Sequence, residues 1–173
     1  MVHELINYLQ ELGLSNFIIV FIISMLPIVE LRGAIPVGIL IFAKPYLPII
    51  ITCLIGNMLP VPFLLLFFDF FTKLMNKWKF TKSIMDWVFK RTRKKTKLIE
   101  KYEFWGLVLL VAIPLPFTGA WTGVVAAYIT GLKFKRAFTA IFIGVLIAGT
   151  IVSALSILIH MGLMKDSGIF LKY

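Results

Sequence analysis

Two residues of opposite charge lie two positions apart inside an apolar stretch near the N-terminus. They are Glu30 and Arg32, in the segment LPIVELRGAIPVG at residues 26–38. A carboxylate can take up a proton, and a guanidinium can bind a phosphate or carboxylate through two parallel hydrogen bonds. Each charge costs about 3 kcal/mol at the centre of a bilayer, so such groups are expected to face protein or water. The presence of both charges within an apolar stretch therefore predicts a polar site within a membrane domain.

The composition is that of a membrane protein. Of the 173 residues, 60% are hydrophobic and only 15% are charged, whereas soluble domains are about half apolar and about a quarter charged. We therefore predict a single all-α integral membrane domain over residues 1–173. The excess of basic residues, 18 against 8 acidic ones, is clustered. It is interpreted as a topology signal and not as a nucleic-acid-binding surface.

Four apolar stretches divide the chain, and they are of two kinds. Residues 46–72 and 137–164 are long enough to cross a membrane, which requires about 20 residues. Residues 14–43 and 104–132 are interrupted near the middle by proline and glycine, which break helices. Each interrupted stretch is predicted to form a re-entrant helical hairpin. Its turn must then be buried by protein or line a wet cavity.

The distribution of basic residues predicts the topology. Residues 73–103 contain 11 Lys or Arg and three acids, so this segment is expected in the cytoplasm. Residues 1–72 and 104–173 then become two inverted repeats, each a hairpin plus a transmembrane helix, with both termini outside. Inverted repeats with broken helices are typical of secondary transporters.

The turn of the first hairpin is predicted at Glu30 to Gly33, close to Pro36. On a helix, residues two apart do not face each other, whereas in a turn Glu30 and Arg32 can project to the same side. Two interpretations stay open: an ion pair that fastens the hairpin, or a site where Arg32 holds an anion while Glu30 orients it or takes up a proton. Asn57 could bond to another helix or contact a substrate.

The second interruption, IPLPFTGAWTG at residues 113–123, has no charge. Its prolines remove amide donors, and a helix that starts at depth presents free N–H groups and a positive dipole end, which suit an anion. The tryptophan could line a cavity or fill it. The candidate residues of this break are Pro114, Pro116, Thr118, Gly119 and Trp121.

Other features favour neither an enzyme nor a metal site. The sequence has no H-E-x-x-H, no G-x-S-x-G and no pair of intramembrane aspartates, so no catalytic residue and no cofactor are expected. His3 and His160 have no metal-ligand neighbours, and Cys53 is interpreted as a packed thiol. The cluster KRTRKKTK at residues 90–97 is expected to touch anionic lipid headgroups.

Two segments resemble a known family. PIVELRGAIPVGI (27–39) followed by AIPLPFTGAWTGVVAAYITGL (112–132) resembles the small multidrug export protein family of bacteria and archaea. That family is thought to be distantly related to the DedA, or SNARE-associated (VTT), membrane proteins. The resemblance covers nearly the whole chain and implies a pair of opposed re-entrant hairpins with a transport role.

The resemblance also implies roles for individual residues. Several DedA relatives are implicated in moving phospholipids or lipid-linked phosphates between leaflets, and membrane acids and arginines matter in them. By position, Glu30 and Arg32 would take the acid and arginine roles. The chain departs from DedA proteins in having no arginine between Arg93 and Arg136.

The sequence as a whole predicts a transporter or flippase of the cytoplasmic membrane. Its substrate would be small and amphipathic or anionic, with lipid phosphates included, and protons could drive it through Glu30. A membrane structural or assembly protein is the alternative. Membrane lipids are the expected partners. A homodimer is also expected, because two spans and two hairpins make a thin shell around a polar cavity.

Overall fold

The computed structural model describes residues 2–43, 45–75, 103–114 and 118–166, and in these ranges the chain is helical without any strand. The predicted all-α class is confirmed. Pro116 and most of the basic segment lie outside the described residues. In chain order, the elements are α1 (Val2–Glu11), α2 (Asn16–Met25), α3 (Glu30–Pro36), a π-helical turn (Val37–Ile41), α4 (Tyr46–Met58), α5 (Pro60–Met75), α6 (Glu103–Ala112), α7 (Ala120–Ile129) and α8 (Phe134–Asp166).

Two helical stretches are long and apolar enough to cross a membrane. They are Tyr46–Phe68, which covers α4 and most of α5, and Phe134–Gly162 within α8. Large apolar side chains stay exposed along the first of them, with Ile55 at 56% and Leu66 at 62%. A surface of this kind suits lipid better than water. The two long apolar helices predicted from the sequence are therefore present.

Helix α2 ends because of a proline. Pro27 has no N–H to donate to the carbonyl of Ile23, and it forces the preceding residue out of the helical region. Leu26 is accordingly extended, with φ −70° and ψ 136°, and its own N–H donates to Ile23 O at 3.2 Å. The chain then turns, and α3 begins at Glu30 and packs against α2.

The predicted position of this turn is wrong. The turn lies immediately after α2, whereas Glu30, Arg32, Gly33 and Pro36 belong to α3. Gly33 is used for close packing inside the helix, since a Cβ there would overlap Val29 Cγ1. Pro36 is tolerated because it stands at the end of α3, where the backbone widens into the π-helical turn.

The second interruption lies where the sequence places it. Helix α6 ends at Ala112 and α7 starts at Ala120. Gly119 precedes α7 with φ 147° and ψ −164°, a backbone region that is essentially restricted to glycine. Whether either break turns around inside a membrane, and whether the halves are inverted repeats, stays a prediction.

The described residues fall into two compact units. One comprises residues 1–57 with 149–173, and the other residues 58–148. In the second unit a Cβ on Gly123 or Gly144 would lie 2.7 or 2.6 Å from side-chain atoms of Val111. These glycines therefore let helices approach closely, as small residues do at helix interfaces in membranes.

Candidate functional site at the end of helix α2

Glu30 is a buried acid with an unusual backbone. It is 5% exposed, and its φ of 52° is in the left-handed region. Its N–H donates to Leu26 O at 3.0 Å, across the turn that follows α2. A left-handed conformation costs a residue other than glycine about 1–2 kcal/mol, and such strain is concentrated at functional sites.

Arg32 lies half-buried two positions further along α3. The Glu30 carboxylate attracts its guanidinium, which offsets part of the cost of removing both charges from water. On a regular helix these two side chains would diverge. Glu30, however, is the first residue of α3 and has a left-handed backbone, so the regular helical geometry does not apply to it, and the electrostatic attraction to Arg32 is present.

Asn57 connects α4 to the end of α2. It is completely buried, and its Nδ2 donates to Ser24 O at 3.0 Å. In a continued helix that carbonyl would accept from the N–H of Ile28, which lies beyond the break. Asn57 thus replaces a lost helical donor. The expectation that it bonds to another helix is confirmed.

The approach of α4 to α2 depends on Gly56. A Cβ at Gly56 would overlap Ser24 Oγ and would lie 2.7 Å from Phe21 O. Ser24 Oγ itself donates to Phe21 O at 2.7 Å. Sequence reasoning missed Ser24. Its only signal in the sequence is a hydroxyl within an apolar run, three residues before the helix-ending proline.

The candidate residues of the second break lie in the other unit. Thr118 is 5% exposed, and its Oγ1 donates to Ile113 O at 2.7 Å, so it closes the break locally. Pro114 and Trp121 are half-buried, and Gly119 is buried. The first unit holds the remaining described candidates, namely Glu30, Arg32, Gly33, Pro36 and Asn57.

His160 has a structural partner that the sequence does not reveal. The Tyr46 hydroxyl and His160 Nδ1 lie 2.9 Å apart, and the two rings pack edge to face at 5.8 Å. Within the described ranges, no three His, Cys, Asp or Glu side chains gather in a way that could hold a metal ion.

A second acid–arginine pair lies in the other unit, at the surface. Arg136 Nη1 and Glu103 Oε2 are 3.6 Å apart, and these side chains are 68% and 70% exposed. They line a cavity of about 610 Å³ together with Lys133 and Thr130. None of the candidate residues from the two breaks lines this cavity.

The chain matches a known protein family. Residues 30–151 match a family described as "Putative small multi-drug export protein". The matched region starts at Glu30 and includes the whole second break. No curated protein and no solved structure is significantly similar to the chain.

Proposed function

The chain belongs to the small multi-drug export protein family, and from this membership we propose that it is a multi-pass exporter of the cytoplasmic membrane. Its substrate is an amphipathic or anionic small molecule, and lipid phosphates are within this class. Two long apolar helices support the membrane location. The observation that carries the proposal is the attraction between buried Glu30 and half-buried Arg32, beside the end of α2.

The pair suits binding and release of an anion. A buried ion pair is seldom the most stable choice, because apolar residues of similar volume often stabilise a fold equally well or better. Arg32 offers a planar set of donors to a phosphate or carboxylate. Protonation of Glu30 would remove its attraction for Arg32, and the guanidinium would then be available to bind the substrate. Deprotonation would restore the competing partner and favour release.

The proposal includes the topology. The basic segment 73–103 faces the cytoplasm and both termini lie outside. The two breaks are turns of re-entrant hairpins, the two halves are inverted repeats, and two copies form a dimer. Alternating access would expose Arg32 first to one side of the membrane and then to the other.

A structural or assembly role is the second candidate. It is favoured by the bonds that close both breaks, from Asn57 to Ser24 and from Thr118 to Ile113. Both bonds would be needed in a protein whose helices only pack. The two candidates differ in one respect: in a structural protein Arg32 only offsets the charge of Glu30, whereas in an exporter it also binds the substrate.

Reconstituted liposomes test the proposal. They would report transfer of a fluorescent phospholipid, of a lipid phosphate and of an anionic dye. Loss of a charge-assisted hydrogen bond lowers affinity about tenfold or more, so Arg32→Ala should reduce transfer by at least this factor at low substrate concentration. Arg32→Lys should keep part of the activity, because it keeps the charge without the planar fork.

The chain supplies its own matched control. Arg136→Ala removes an arginine that also faces a glutamate, but at an exposed position, and it should leave transfer unchanged. Equal transfer by wild type, Arg32→Ala and Arg136→Ala across the three substrates, no greater than in protein-free liposomes, would contradict export and favour the structural role.

A further inference from the structure

Asn57 has a second polar atom that its bond to α2 does not use. Its Oδ1 is buried, and no hydrogen-bond donor reaches it among the residues that the structure describes. The orientation of the amide is fixed, because Ser24 O is an acceptor and only Nδ2 can donate to it. Since both amide atoms share one carbon, Oδ1 lies beside the end of α2.

Ser24, which Asn57 contacts, brings further oxygen atoms to the end of α2. Ser24 Oγ donates its hydrogen bond to Phe21 O, so its lone pairs remain available as acceptors. Pro27 removes the regular helical donor of Ile23 O, which accepts from the Leu26 N–H at 3.2 Å and keeps a second lone pair. The C-terminal end of a helix also carries a partial negative charge. Acceptors thus collect in a buried place where a positive ligand is stabilised.

We propose that this place binds a sodium ion. Asn57 Oδ1 would be one ligand, and Ser24 Oγ and backbone carbonyl oxygens of the last turn of α2 would be others. Unwound carbonyls and the C-terminal ends of broken helices are the groups that coordinate Na⁺ in secondary transporters. A water molecule would donate to only one or two of these acceptors, whereas a cation is attracted by all of them and by the helix dipole.

The ion would have a defined effect on the fold. It would satisfy the buried amide oxygen and hold α4 against the end of α2, next to the turn that leads to Glu30. Binding of sodium does not require that Arg32 transports a substrate. Failure of the transport test would therefore not argue against the ion site. Absence of the ion would likewise not argue against the export proposal.

Thermal unfolding of the purified full-length chain in detergent tests the site. Sodium chloride would replace choline chloride stepwise at constant ionic strength. A ligand that binds only the folded state raises the unfolding temperature in proportion to its occupancy, so the unfolding temperature of the wild type should rise with sodium and then level off. Sodium NMR on the same sample should show line broadening.

Three variants locate the ion. Asn57→Leu should abolish the sodium-dependent rise, whereas Asn57→Asp should keep it because an oxygen remains. Ser153→Ala is the matched control, since Ser153 Oγ is also buried without a partner among the described residues of the same unit, and it should keep the full rise. If Asn57→Leu does not fold, loss of line broadening is tested with Ser24→Ala instead.

Two results would overturn the proposal. One is an unfolding temperature of the wild type that is equal in sodium and in choline, without line broadening. The other is a sodium-dependent rise that persists unchanged in Asn57→Leu, which would place the ion elsewhere.

Discussion

At the two helix breaks of this chain, backbone carbonyls receive hydrogen bonds from different kinds of donor. Each break leaves backbone carbonyls without helical donors in an apolar setting. At the first break the donor comes from a distant helix, since Asn57 lies 33 residues from Ser24. At the second, Thr118 reaches a carbonyl only five residues away. The first break also holds a buried acid beside an arginine, whereas the described part of the second is uncharged.

This difference separates a break that is closed locally from one that depends on tertiary packing. The local bond of Thr118 can form as soon as its own segment is in place. The bond of Asn57 forms only after α4 has packed on α2. Substitutions at the first break should therefore cost more stability, and they should also affect function.

The largest effect on stability is expected for Gly56→Ala. The new Cβ would meet Ser24 Oγ and the backbone oxygen of Phe21, and backbone cannot move as easily as a side chain. Overpacking of this kind costs about 3 kcal/mol, measured by chemical denaturation in detergent. Gly162→Ala is the control, because a Cβ there meets nothing within 4 Å. It should not destabilise the protein, and equal loss in both variants would refute the close contact.

A smaller effect is expected when the two carbonyl bonds are removed. Asn57→Leu leaves Ser24 O buried without its donor and should cost about 2 kcal/mol, while Thr118→Val should cost about 1 kcal/mol. The same denaturation measurement compares them. If Thr118→Val proved the more destabilising of the two, the contrast between local and tertiary closure would be wrong.

An effect as small as that of Thr118→Val is expected at two ordinary helix ends, one in each unit. Gly13 ends α1 with φ 73° and Gly131 ends α7 with φ 67°. In each case the glycine and the following leucine donate to the last turn, as in a Schellman motif. Gly13→Ala and Gly131→Ala should each cost about 1 kcal/mol. Clearly unequal losses would mean that the two units differ in more than their breaks.

Much of this fold follows from the sequence because the responsible forces are local. Apolar length predicts the two long helices, and proline and glycine predict that the other two stretches are broken. The exact place of the first break does not follow, because Pro27 and Pro36 both oppose a helix. Pro27 ends α2, whereas Pro36 is accommodated at the start of a π-helical turn.

The candidate site was predictable in part. Charge in an apolar stretch singles out Glu30 and Arg32, and a polar residue in a span singles out Asn57. The partners are not predictable, because they come from distant parts of the chain. Ser24 meets Asn57 across 33 residues, and Tyr46 meets His160 across 114. Such pairs are set by how the helices pack and leave no periodic signal.

The central claim is that Arg32 faces a site that water and substrate can reach, and thiol labelling in proteoliposomes tests it directly. Cys53 is the only cysteine and is completely buried, so the wild-type chain should not react and gives the baseline. In a Cys53→Ala background, Arg32→Cys should react with a charged, water-soluble thiol reagent, as the exposed control Arg136→Cys should. Labelling of Arg136→Cys with none of Arg32→Cys would show that position 32 is sealed from water, and would contradict the account.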